Sequence, residues 1–153
     1  MGTNHYLFVT HPDPFDALVK ENRWLLKDRS MVSKLHNLSA GDEVLVYVAG
    51  QSGIIGLLRV QGPSQLLRET AVLSGRAYQY ELPVAFEIAV PKECVVPVKP
   101  FVRELNVTRR IADNWGSAFQ RSIVRLNDDD FNFLKTKLVQ TYKELHDSEQ
   151  RQA

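Results

Sequence analysis

The chain has 153 residues, 44% of them hydrophobic and 24% charged, enough for one domain with a sizeable core. Nineteen Lys and Arg against eighteen Asp and Glu leave a formal charge of +1, which argues against indiscriminate, purely electrostatic nucleic-acid binding. Its single cysteine, Cys94, excludes an intrachain disulfide, and no apolar run approaches the ~20 residues of a membrane span, so a reducing, cytoplasmic setting is expected.

Tyr6–Thr10 reads as a strand ended by His11-Pro12-Asp13-Pro14. Asp13 is placed to cap a helix with Pro14 at its first position, and Phe15, Leu18 and Val19 supply an apolar stripe. A second strand is expected near Trp24, then a helix from Ser30 to Leu38 with Met31, Leu35 and Leu38 on one side. Gly41-Asp42 turns into Val44–Ala49, whose unbroken apolar run predicts a strand buried on both faces. Gln51-Ser52-Gly53 joins it to Ile54–Val60 in a hairpin, and Gly56 marks a bulge or a close backbone approach. Ser64 to Arg76 lacks a strong pattern and is expected to be a connecting loop with some helix.

Tyr78, Tyr80, Leu82, Val84, Phe86, Ile88 and Val90 alternate with Gln79, Glu81, Pro83, Ala85, Glu87 and Ala89, a long half-buried strand. Pro83 has no N–H, so that strand is expected to lie at an edge or to bulge there. Asn127 then precedes Asp128, Asp129 and Asp130, an N-cap with three carboxylates that favour a helix dipole. Phe131, Leu134, Leu138, Tyr142 and Leu145 give that helix one core-facing stripe. The domain is taken as residues 1–146, with 147–153 a frayed polar tail. Strands outnumber long helices, so the fold class is α/β in the α+β sense: a curved or barrel-like mixed sheet flanked by short helices and closed by a C-terminal one.

Catalytic signatures are missing: there is no G-x-S-x-G, phosphate loop, H-E-x-x-H or cysteine pair, and the four histidines have no ligand spacing. No enzyme activity, metal or cofactor is expected. The informative residues are the two tryptophans. Trp24 has Arg23, Lys27, Asp28 and Arg29 close by in sequence, so its surroundings are not read as deep core. Trp115 follows Asp113 and Asn114 and precedes Gly116, which would let a loop approach a ligand closely. Tyr47, Tyr78 and Tyr80 could complete an aromatic wall for a flat polar ligand such as a nucleobase. From Lys99 to Arg125 six basic residues (Lys99, Arg103, Arg109, Arg110, Arg121 and Arg125) face two acidic ones, a local +4 that leaves −3 for the rest. Such a surface suits a phosphate backbone.

With these residues assembled, the chain resembles the EVE domain, a PUA-like family related to the YTH domains that read methylated adenine in RNA. The resemblance runs over residues 4 to 138 as an ordered series: Tyr6–Thr10, Arg23-Trp24, Gly41-Asp42 with Val44–Val48, Gly53-Ile54-Ile55-Gly56, Tyr80 to Val90, Leu105-Asn106-Val107, Asn114-Trp115-Gly116 and the Asn127–Phe131 helix start. It implies a PUA-like fold and a non-catalytic module with a cleft for a modified base. Trp24 would be a cage tryptophan, and Thr10 and His11 would contact the base edge. Two departures are visible: Leu25 stands where YTH proteins carry a hydroxyl, and His11-Pro12 where they carry a Ser-Asn pair.

The expected pocket therefore comprises Thr10, His11, Trp24, Tyr47, Tyr80, Asn114 and Trp115, and the expected phosphate contacts are Arg29, Arg109, Arg110, Arg121 and Arg125. The expected partner is DNA or RNA carrying a modified, methylated base, read alone or alongside a nuclease or motor of a restriction system. Two alternatives stand beside this reading. One is a sensor of a small molecule or nucleotide metabolite using the same pocket without a polymer; the other is an accessory to an RNA-processing enzyme.

Overall fold

Nearly every strand of the core is written as an apolar run, and the sheet is assembled from those runs. The computed structural model describes residues 5–152. Its elements in chain order are β1 (His5–Thr10), α1 (Pro12–Glu21), β2 (Arg23–Leu26), α2 (Arg29–Lys34), β3 (Glu43–Val48), β4 (Gly53–Val60), β5 (Gln65–Leu73), β6 (Arg76–Ala89), β7 (Val96–Pro97), β8 (Ile123–Leu126) and α3 (Asp128–Gln152). They form one curled mixed sheet in the order β2-β6-β4-β3-β1-β8, with β5 also on β6 and β7 also on β4. β1 and β3 are parallel; the other pairs are antiparallel. The expected α+β architecture is what is found.

β3 is buried from Val44 to Val48 without a break, as its composition requires of a strand covered on both faces. α3 packs across β1, β4, β6 and β7, and inserts Phe131, Leu134 and Leu138 into the core. Asn127 caps it, its side-chain oxygen accepting from the Asp130 N–H at 2.8 Å. Glu43 at the start of β3 joins Lys135 of α3 at 2.8 Å, tying sheet to helix. Gly56 fulfils both of its expected roles. The register slips between Val46/Gly56 and Tyr47/Ile54, leaving Ile55 as a bulge. A Cβ on Gly56 would also lie 2.9 Å from the Ile88 carbonyl oxygen and 3.2 Å from Phe15 Cζ.

Four expectations need correction. Ser64 to Arg76 is a strand rather than a loop with helix: β5 pairs with β6 through a two-residue turn in which Ser74 and Gly75 have φ of 52° and 78°. The sequence hid it because β5 buries neither face; Leu66 and Val72 are 68% and 71% exposed, so no alternation is imposed. The cap of α1 is His11 with Pro12 at the first position, two residues earlier than Asp13 and Pro14. α2 ends at Lys34, short of Leu38, and its cap is Asp28, which accepts from the Met31 N–H at 3.1 Å. α3 runs on to Gln152, through the segment expected to be a frayed tail.

Pro83 takes a form between the two anticipated. β6 pairs with β2 and β5 over Arg76–Pro83 and with β4 over Val84–Ala89, so Pro83 falls where the strand changes partners. Its missing N–H costs no continuous ladder there.

Candidate functional site

At the C-terminal end of β1 the chain turns sharply into α1, and β8 starts alongside, its preceding Ser122 carbonyl accepting from the Val9 N–H at 2.9 Å. This leaves a concavity between the end of β1, α1, β2 and the β5–β6 hairpin. Its volume is about 590 Å³, within the range of small-molecule and cofactor sites. Val9, Pro14, Leu18, Leu25, Met31 and Ala77 make much of its wall apolar, and Trp24 and Tyr78 add two aromatic side chains. Polar atoms come from Thr10, His11, Gln120 and Ser122. Lys27, Arg76 and Arg121 complete the lining, which among the described residues contains no carboxylate.

These side chains come together for local reasons. Trp24 and Leu25 are held by β2, which pairs with Leu82 and Glu81 of β6. Arg76, Ala77 and Tyr78 lie just beyond the Ser74-Gly75 turn, so the hairpin delivers them as a unit. Asp28, next to Lys27, is turned away to cap α2. Thr10 is 9% exposed, lines the cavity, and its hydroxyl donates to the His11 carbonyl at 3.4 Å.

The cavity collects four of the twelve expected residues: Thr10, His11, Trp24 and Arg121. Trp24 is not in the open setting its charged neighbours suggested. It is 5% exposed and stacks on Phe8 with ring centroids 5.1 Å apart, so one face belongs to the core and only its remaining surface borders the cavity. The period of β2 decides this: Arg23 and Lys27 flank an apolar Trp24–Leu26 run that the fold buries.

Tyr47, Tyr80, Asn114, Trp115, Arg29, Arg109, Arg110 and Arg125 do not line the cavity. Tyr47 is buried and stacks on Phe119 at 4.4 Å, and burial pushes its phenol up from the ordinary tyrosine range, a hydrogen bond with Ser52 opposing. Trp115 is half-buried edge-on to Phe119 at 6.2 Å. It belongs to a run of 3₁₀ turns, Arg109–Phe119, broken by non-helical backbone at Ile111 and Asn114. Gly116 makes no close approach; a Cβ there would meet nothing within 4 Å.

Arg109 and Arg110 follow a segment that is tied to the start of α3, by the opposite end of β1. Asn106 and Val107 just before them donate backbone N–H groups to the buried Asp130 carboxylate, each at 2.9 Å, and Asn106 adds its side-chain amide at 3.2 Å. Asp130 lies just after Leu126, the partner of His5 at the start of β1. The strand separates the two ends by roughly 17 Å at ~3.3 Å per residue.

Sequence reasoning missed Lys27 and Arg76, and placed Tyr78 only as a possible wall. Arg76 was hidden with β5; the pairing of β2 with β6, Leu26 opposite Tyr80, is what brings this end of β6 toward Trp24. Among the described residues no group of three or more His, Cys, Asp or Glu stands close enough to hold a metal, and no helix is long and apolar enough to cross a membrane.

No family model matches the sequence, and no curated protein does. Solved structures do match. The Mmi1 YTH domain, solved in complex with RNA, superposes with a TM-score of 0.61 at 11% identity, over 92% of this chain and 81% of that one. The fold is YTH-like. A crystal structure of a Pseudomonas putida protein gives a TM-score of 0.60 at 17% identity, covering 86% of this chain and 97% of that one. A Leishmania major protein gives 0.61 at 15% identity, covering 90% and 95%. At these identities the YTH-like likeness is one of fold.

Proposed function

We propose that this chain is a non-catalytic reader of DNA or RNA that takes a modified base into the cavity between β1, β2 and the β5–β6 hairpin. The observation that carries the reading is the lining itself: an aromatic and apolar interior of about 590 Å³ whose Lys and Arg side chains meet no carboxylate in the lining among the described residues. A base stacked on an aromatic side chain gains ~1–3 kcal/mol. Taking it out of a stack costs a few kcal/mol, least where the strand is already single. Tyr78 and the exposed part of Trp24 supply the apolar contact, and Thr10, His11, Gln120 and Ser122 offer hydrogen bonds to the base edge. Arg121 holds the adjoining backbone, with Arg109 and Arg110 reaching phosphates further along the strand. The likeness to a YTH domain crystallised with RNA supports the same reading. A nuclease or motor partner would raise a modest affinity through avidity.

The test is binding of paired single-stranded oligonucleotides that differ by one methylated base. Wild-type protein should prefer the modified member, and Tyr78→Ala should abolish the preference while its thermal unfolding stays near wild type. Equal binding of both members by the wild type across methylcytosine and methyladenine, in DNA and in RNA, would overturn the proposal.

A further inference from the structure

Elsewhere on the molecule, three partly covered cations have acidic partners. Arg23 meets Glu21 and Glu81, Lys135 meets Glu43, and Arg59 lies between Glu43 and Glu87. What sets the three cations of the cavity apart is that they share one concavity. Lys27, Arg76 and Arg121 come from three segments far apart in sequence, line one concavity, and pair with no carboxylate among the described residues. All three are exposed, which places their charged ends at the mouth while the apolar wall lies behind. Like charges gathered around one cleft repel and raise the local potential, and an anion at the mouth relieves that.

The cavity is also larger than a base needs. An apolar and aromatic interior with a cationic mouth fits a molecule that is flat and apolar-faced at one end and multiply anionic at the other. We infer that Lys27, Arg76 and Arg121 form an anion subsite of the cavity, and that the unit bound is a nucleoside phosphate, base inward and phosphate at the mouth. This rests on the proposed function for the base end. It goes beyond it in making the phosphate attached to the read nucleotide part of recognition. Arginine suits the task, since its planar fork meets two phosphate oxygens at once, and Lys27 adds a point charge. The same chemistry is presented by a free nucleotide and by a nucleotide within a strand.

Isothermal titration of the full chain separates these cases. The probes are adenosine, N6-methyladenosine, cytidine and 5-methylcytidine, their 5′- and 3′-monophosphates, inorganic phosphate, and a nine-residue oligonucleotide carrying each base at its centre. At low salt at least one monophosphate should bind about tenfold or more tightly than its own nucleoside, the effect of one or two charge-assisted hydrogen bonds. The double variant Arg76→Gln with Arg121→Gln should bring nucleotide and nucleoside within about twofold of each other, with an unchanged unfolding midpoint, because neither side chain is buried.

A monophosphate bound as tightly as its oligonucleotide would keep the subsite and make the free nucleotide its ligand. Equal binding of nucleoside and nucleotide would overturn the inference, as would phosphate alone binding as well as the nucleotide, or a preference that survives the double variant. Oligonucleotide binding without any monophosphate binding would overturn the subsite and leave the reader standing. If neither oligonucleotides nor monophosphates bind, both fall.

Discussion

Truncating Trp24 would open a space that its stacking partner Phe8 cannot fill. Trp24→Ala should therefore destabilise the fold by about 3–5 kcal/mol, read as a shift in the chemical-denaturation midpoint, and is a poor test of binding. Tyr78, half-buried on an outward hairpin, makes the cleaner probe: Tyr78→Ala should cost about 1 kcal/mol or less while removing stacking. Tyr47 is a reporter of burial. Its folded-state pKa is raised by desolvation, so the stability it contributes is fully present below the unfolded value of ~10 and is lost as pH rises from there toward the folded value. Ultraviolet titration should show a late phase of phenol ionisation, and Tyr47→Phe should reduce its amplitude by one tyrosine. An unchanged late phase in the variant would mean that Tyr47 does not contribute to it.

Among the elements, the N-terminus of α3 does more than its cap suggests. Asp130 holds the segment at Asn106-Val107 with three donors and is 2% exposed. Asp130→Ala would orphan two backbone N–H groups, and about 2–5 kcal/mol of stability should go with them. Hydrogen exchange should accelerate at 106–107 before it does in β3. This role was not legible in the sequence, where Asn127-Asp128-Asp129-Asp130 reads as a cap and a dipole effect. Both readings are correct, but a long-range acceptor role leaves no local pattern. The same distinction explains which elements could be read. β1, β3, β4, β6 and the stripe of α3 bury one or both faces, so burial writes their period into the chain. β5 is stabilised by backbone pairing and a turn, with exposed Leu66 and Val72, and so leaves only the dipeptide Ser74-Gly75 as a signal. Of the lining, Arg76, Ala77 and Tyr78 hang from that hairpin, which is why Arg76 could not be named in advance, whereas Thr10, His11, Trp24 and Arg121 could. Tyr47 and Trp115 were misplaced because an aromatic beside polar residues looks the same in sequence whether it faces a ligand or Phe119.

For the whole molecule, a net charge of +1 conceals two basic groups, one lining the cavity and the other, Arg109 and Arg110, outside that lining. They should be separable in solution. Replacing Arg109 and Arg110 together should weaken oligonucleotide binding at every sequence and leave the preference for a modified base intact. The slope of log affinity against log salt should flatten by ~0.7 for each single-strand phosphate that the variant no longer neutralises. An unchanged slope would assign that pair to solvent. The handover of β6 at Pro83 has a different kind of consequence. One half of this strand pairs with β4, and the other pairs with β2 and β5 and carries Arg76 and Tyr78 near the tip of a largely exposed hairpin. Ligand preference can thus drift without refolding the protein. In a saturation library selected only for solubility, positions 65–78 should accept most substitutions and 84–90 few. Selected for binding, tolerance at 76 and 78 should collapse while the rest of the hairpin stays permissive, making it the natural place from which to evolve readers of other bases.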